Sequence, residues 1–171
     1  VNCFLQRRWR SANNSDYAIG VIVEDNSGTV SNCFSYGCTF SNSPNMYAIV
    51  ESGNAPVNCY YYTDATVSDT VATSKTADQF ASGEVAYLLQ GEQTEDVWGQ
   101  KIGTDTYPVL SGDKVYYVTN CKSENIYSNT NENDQHNVVD DSCTNCGLSS
   151  STVMEIKLLK LAIKRANEIA D

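Results

Sequence analysis

Short β-rich runs occur in the first third of the chain, at Ile19 to Val23, Val30 to Phe34 and Tyr47 to Val50. Asn26-Ser27-Gly28 and Asn42-Ser43-Pro44 lie between them, so the pattern predicts β-strands joined by turns, with no helical spacing in between. An Asn-Cys-aromatic triplet occurs three times, as Asn2-Cys3-Phe4, Asn32-Cys33-Phe34 and Asn58-Cys59-Tyr60, with cysteine spacings of 30 and 26. Tyr17-Ala18-Ile19 also returns 30 residues later as Tyr47-Ala48-Ile49. Two markers recurring in step mark residues 1–62 as two to three coils of a repeat, and strands at such a period without crossover helices predict a β-solenoid. Cysteine would point inward as a small hydrophobe, and asparagine would bond its counterpart at a corner. A hairpin sandwich with coincidental triplets is the alternative.

The pattern then changes. Residues 63–75 are a polar connector of Thr, Ser, Ala and Asp around two valines. Thr76-Ala77-Asp78-Gln79 matches a capping box and Ser82-Gly83-Glu84 starts another turn, which predicts one or two short helices over Ala77 to Gln90 ending at Gly91. Phe80, Val85, Leu88 and Leu89 share a helical face. Trp98, Ile102, Tyr107 to Leu110 and Val115 to Val118 read as strands, the last two joined by a hairpin turn at Ser111-Gly112-Asp113. Thr152 to Asp171 reads as an amphipathic helix: Thr152 and Glu155 suggest a capping box, and Ile156, Leu159, Ile163, Ala166 and Ala170 follow a 3-4 spacing. That helix either docks on the domain, self-associates or begins a stalk.

Composition narrows the function. In 171 residues there are 18 Ser, 14 Thr and 17 Asn, residues that favour turns and strand edges, so a helical bundle is excluded. No apolar run approaches the roughly 18 residues of a membrane helix, so no membrane insertion is expected in this segment. Val1 is neither a start Met nor the opening of a signal peptide, so the sequence reads as a processed or excised piece. Residues 11–110 carry 12 acids against Lys75 and Lys101 as the only bases. Such a surface repels phosphate, and nucleic acid is not an expected partner.

Chemistry concentrates in one place. Cys121, His136, Cys143 and Cys146 form C-x14-H-x6-C-x2-C. The Cys-x-x-Cys knuckle lets two thiolates bind one ion from a tight turn, and Gly147 follows where such a turn favours a positive φ. With Cys121 and His136 the set supplies the four ligands of a closed structural Zn2+ site, which leaves no open position for a catalytic water. A disulfide from Cys121 to Cys143 or Cys146, or free thiols, are the other readings. Seven cysteines cannot all pair within the chain. His136 is the only histidine, so its use as a ligand leaves no imidazole base for a Ser-His-Asp or Cys-His system. Glu24, Asp25, Glu51 and Asp64 lie near the coils and read as solubilising acids. No phosphate loop or dinucleotide fingerprint is present.

Gly20-Val21-Ile22-Val23, Asn26-Ser27-Gly28-Thr29-Val30, Asn32-Cys33-Phe34 and Gly37 resemble the GLUG-type repeat of bacterial surface proteins, G-x-[IL]-V-G-x-N-x-G-x-[IV]-x-N-C-[YF]-x-x-G. Glu24 stands where that repeat has a glycine, and the next coil, Val50 to Tyr62, is shorter and contains Pro56. Phe80 to Leu89, Trp98-Gly99-Gln100, Gly103 and Tyr107 to Leu110 resemble the short module that follows the last such coil. The segment ending in Cys143-Thr144-Asn145-Cys146-Gly147 resembles a small zinc-ribbon-like module of similar proteins. The expectation is therefore a mainly β chain. It comprises the end of a parallel β-helix (1–62), the connector (63–75), a small α+β capping module (76–120), a zinc-ribbon-like segment (121–148) and the helix (149–171). The resemblance implies a non-catalytic structural or adhesion segment of a secreted or cell-surface bacterial protein, extracellular or wall-attached, with a host or cell-surface glycan or protein ligand as partner and further solenoid coils upstream. A non-catalytic C-terminal fragment of a carbohydrate-active β-helix lyase or hydrolase is the alternative.

Overall fold

A computed structural model describes residues 3–5, 8–10, 19–20, 22–41, 46–68 and 71–170, with side chains placed for 22–38, 47–68 and 71–169. The turn expected at Asn42-Ser43-Pro44, most of the first triplet's surroundings and Tyr17-Ala18 lie outside the described residues. The chain divides into two compact units, residues 1–116 with 127–129, and residues 117–126 with 130–171.

The first unit opens with ten short strands: β1 (Cys3–Leu5), β2 (Arg8–Arg10), β3 (Ile19–Gly20), β4 (Val23–Asn26), β5 (Cys33–Tyr36), β6 (Thr39–Ser41), β7 (Met46–Tyr47), β8 (Val50–Gly53), β9 (Tyr60–Tyr62) and β10 (Thr73–Ser74). They pair in parallel. One sheet runs β1-β5-β9-β10, with Cys3 opposite Cys33 and Phe34 opposite Tyr60, and β2-β6, β3-β7 and β4-β8 form separate two-stranded ladders. Asn32 and Asn58 both adopt left-handed backbone, with φ of 53° and 51°, a conformation that asparagine tolerates. Their amides bond one another, Asn58 Nδ2 donating to Asn32 Oδ1 at 2.7 Å.

Alternation along β5 splits the core into two layers. Cys33 packs inward with Val30, Ile49, Val50, Cys59 and Tyr61, whereas Phe34 packs on the other side with Phe80, Val85, Leu89 and Trp98. That second layer belongs to α1 (Ala77–Ala81), α2 (Glu84–Gln90) and the antiparallel pair β11 (Trp98–Gly99) and β12 (Val109–Leu110). The Thr76–Gln79 capping box forms as the sequence predicts, and α2 ends at Gly91. Gln100 is fully buried, and its amide donates to the carbonyls of Phe80, Ala81 and Asp105. It thereby satisfies the end of α1.

The mainly β, parallel β-helix class expected from the repeat is not the fold. Among the described residues the parallel ladders join strands of only two to four residues, in one four-stranded sheet and three two-stranded pairs, beside antiparallel pairs and three helices. The repeat spacing also fails at its last step, where β10 pairs with β9 at an offset of 13 rather than 26 to 31. The physical reason is that Asn, Ser and Gly interrupt the chain every few residues, so each strand stops after two to four residues. The class is a small mixed α+β protein. The hairpin expected across Ser111-Gly112-Asp113 is likewise absent: β12 pairs back with β11, and that turn lies against Gly99, where a Cβ would overlap the Gly112 carbonyl.

The second unit is built from part of the pair β13 (Tyr116–Thr119) and β14 (Asn125–Ser128), the hairpin β15 (Val138–Val139) and β16 (Ser142–Cys143), and the long helix α3 (Ser150–Ala170). The start of α3 departs from expectation. Ser149, not Thr152, is its cap, since Ser149 Oγ accepts from the Thr152 backbone N–H at 3.3 Å.

Candidate metal centre

Three tight turns carry the four candidate ligands. Cys121 follows Asn120, a buried side chain whose Oδ1 accepts from the Lys122 and Glu124 backbone N–H groups at 2.8 and 3.0 Å. An asparagine bonded to the backbone two and four residues on fixes the loop that presents the thiol. His136 is brought alongside by backbone pairing, with Cys121 N donating to the Gln135 carbonyl at 3.0 Å and Gln135 N donating to the Thr119 carbonyl at 3.3 Å.

Cys143 and Cys146 come from the β15–β16 hairpin and the knuckle beyond it. Val139 pairs with Ser142 across Asp140 and Asp141, whose φ values are 46° and 63°. Two consecutive left-handed residues make the type I′ turn that suits the twist of a two-residue hairpin. Gly147, at φ 75°, turns the chain after Cys146, and its N–H donates to the Cys143 carbonyl at 2.8 Å.

These turns bring all four donors together. One ligand atom from each of Cys121, His136, Cys143 and Cys146 lies within 4.8 Å of the others. Cys121 Sγ is 3.7 Å from Cys143 Sγ, and Cys146 Sγ is 3.3 Å from His136 Nδ1. A disulfide requires about 2.05 Å, whereas two thiolates on one tetrahedral zinc, each about 2.3 Å from it, stand about 3.8 Å apart. The thiol separation therefore matches the edge of a metal tetrahedron. Among the described residues Cys121, Cys143 and Cys146 form no disulfide. Nδ1 is the histidine nitrogen facing the sulfur, so a ligand role places the ring proton on Nε2.

The electrostatics of the cluster are those of crowded thiols. Burial opposes ionisation of Cys143, but hydrogen bonds from the backbone of Cys146 and Asn145 and from His136 outweigh it and bring its pKa down to about 6. Cys121 moves the other way. Burial, then hydrogen bonding and repulsion from its two cysteine neighbours, push it up to about 12. One thiolate forms readily and suppresses the next, a conflict that a divalent cation at the centre resolves.

Beyond the ligands, Asp134 pairs with Lys160 of α3 at 2.7 Å, and Ser150 N donates to the Asp141 carbonyl at 2.9 Å. Asn120, Asp140-Asp141 and the Asp134–Lys160 pair were not singled out from the sequence. The Asp-Asp pair between Val139 and Ser142 carries a readable turn signal, while Asn120 and Asp134 carry none. Among the other acids, Glu24 and Asp25 are exposed on β4, and no cluster other than the Cys/His set gathers three potential ligands among the described residues.

Comparisons with protein-family models, curated proteins and solved structures return no match. Nothing in them identifies GLUG-type repeats or a zinc ribbon. Among the described residues no helix is long and apolar enough to cross a membrane.

Proposed function

We propose that Cys121, His136, Cys143 and Cys146 hold one structural Zn2+, and that the chain acts as a non-catalytic, metal-stapled structural segment. The carrying observation is the convergence of four soft and borderline donors within 4.8 Å. Three thiolates and an imidazole select zinc over hard cations such as magnesium or calcium. Four protein ligands complete the tetrahedron and leave no site for an activated water, which favours a structural over a catalytic role.

A second support is the poverty of the core around the site. Of the second unit's described residues only Val118, Asn120, Cys143 and Val153 are buried. So small an apolar core is marginal without the added stability of a metal or disulfide. The broader role we propose is surface display, with a glycan or protein ligand as partner; its support is the resemblance of the quoted motifs to those of bacterial surface proteins.

Elemental analysis of the purified chain tests the zinc reading. We expect about one zinc per chain, lost on chelation, and none in Cys143→Ser or His136→Ala. Fewer than seven titratable thiols under denaturing conditions with no bound metal would replace the reading with a disulfide.

A further inference from the structure

Helix α3 is long but poorly anchored. Of its large apolar side chains only Val153 is buried; Leu158, Leu159, Ile163 and Ile169 are 58%, 62%, 53% and 85% exposed. Packing of an apolar face, the usual source of helical stability in proteins, is thus nearly absent beyond the first turns. A helix of 21 residues without packing is marginal in water because its first turn is costly to form. Whatever fixes that first turn decides whether the helix persists.

The first turn is fixed by the knuckle. Cys143 N donates to the Leu148 carbonyl at 2.8 Å, Ser142 bridges to Ser149, and Ser150 N donates to the Asp141 carbonyl at 2.9 Å. These bonds place Ser149, the cap, three residues after Cys146. A second tether joins the helix to the segment that carries His136: Lys160 Nζ meets Asp134 Oδ2 at 2.7 Å, and Ile156 and His136 line one groove. The two tethers lie on different ligand-bearing segments, which the β15–β16 pairing joins through the backbone and the Cys/His cluster joins through side chains.

From this we infer that the metal centre is a nucleation latch for α3: ion binding by Cys121, His136, Cys143 and Cys146 orders the helix, and ion loss lets it fray from its first turn. The inference rests on the structural-zinc reading. It makes the exposed apolar face of α3 a surface presented only by the metal-loaded chain.

Hydrogen exchange of the full chain, with one equivalent of zinc chloride and after chelation, reads the latch residue by residue. α3 supplies 21 of the 33 helical residues described, α1 and α2 the other 5 and 7, so far-ultraviolet circular dichroism follows the same event. We expect chelation to speed exchange of the Val153–Leu161 amides at least tenfold, leave α2 amides unchanged, and remove about half of the helical signal. A variant with Gly-Ser-Gly-Ser inserted between Leu148 and Ser149 keeps all four ligands and the cap; it should still bind one zinc, with α3 exchange no longer responding to it. Zinc bound at one per chain with α3 exchange unchanged on chelation would overturn the latch while sparing the zinc site, as would an insertion variant that responds like the parent. A chain that binds no zinc would overturn both.

Discussion

Cys143 is the residue on which the centre turns, because it joins the β15–β16 hairpin to the knuckle and is nearly inaccessible to solvent at 2% exposure. Its pKa lies near 6, against an ordinary value of 9. A thiol ionised more easily when folded contributes stability that is complete above the unfolded value and is lost as pH falls through the folded one. The metal-free second unit should therefore weaken between pH 9 and pH 6, and denaturation of chelated protein across that window should show a falling midpoint with falling pH. A midpoint flat over the window would contradict the assignment. Cys121, raised to about 12, adds the opposite trend only above pH 9. In the first unit, Asn58 combines a left-handed backbone with side-chain bonds to Asn32 and to the Leu88 carbonyl at 2.9 Å. Asn58→Gly keeps the backbone and loses the bonds, so it should cost about 1–3 kcal/mol in chemical denaturation.

Among the elements, α1 and the Cys-x-x-Cys knuckle were legible in the sequence, while the strand pairing was legible only in part. Thr76 to Gln79 is a local signal, since both partners of the box lie within four residues. The triplets at Cys3, Cys33 and Cys59 announce parallel neighbours at spacings of 30 and 26, but not that the strands stop after two to four residues. Ser111-Gly112-Asp113 is good turn chemistry and points β12 to the strand after it; what decides its course is the close approach of Gly99 and Gly112, a tertiary contact that no local pattern carries. Gly99→Ala should accordingly cost about 1–3 kcal/mol by overpacking, measured as a loss of midpoint in urea. Phe34, sequestered between β5 and the α1–α2 pair with rings of Phe80 and Trp98 at 5.5 Å, should cost about 3–5 kcal/mol as Phe34→Ala. At the other end of the chain, helix α3 was readable from its 3-4 spacing, but three consecutive serines before Thr152 obscured which one caps it. Ser149→Ala should weaken the helix by about 0.5–2 kcal/mol.

For the whole molecule the division of labour is between two kinds of core. The first unit holds two apolar layers, one around Ile49 and Cys59 and one around Phe34 and Trp98. The second has four buried residues among those described, and a ligand cluster. Ligands and spacing of that cluster were visible in the sequence because Cys and His in a knuckle pattern are rare and specific. The turns that assemble it were not, since they depend on Asn120 and on backbone pairing through Gln135. Chelation should thus lower the melting of the second unit, followed through α3 helicity, and leave that of the first, which holds both tryptophans, Trp9 and Trp98, followed through tryptophan fluorescence. The most direct measurement is X-ray absorption at the zinc edge of the loaded chain. Three sulfurs at about 2.3 Å and one nitrogen at about 2.0 Å is the shell this centre predicts; a shell dominated by oxygen, or one with fewer than three sulfurs, would contradict it.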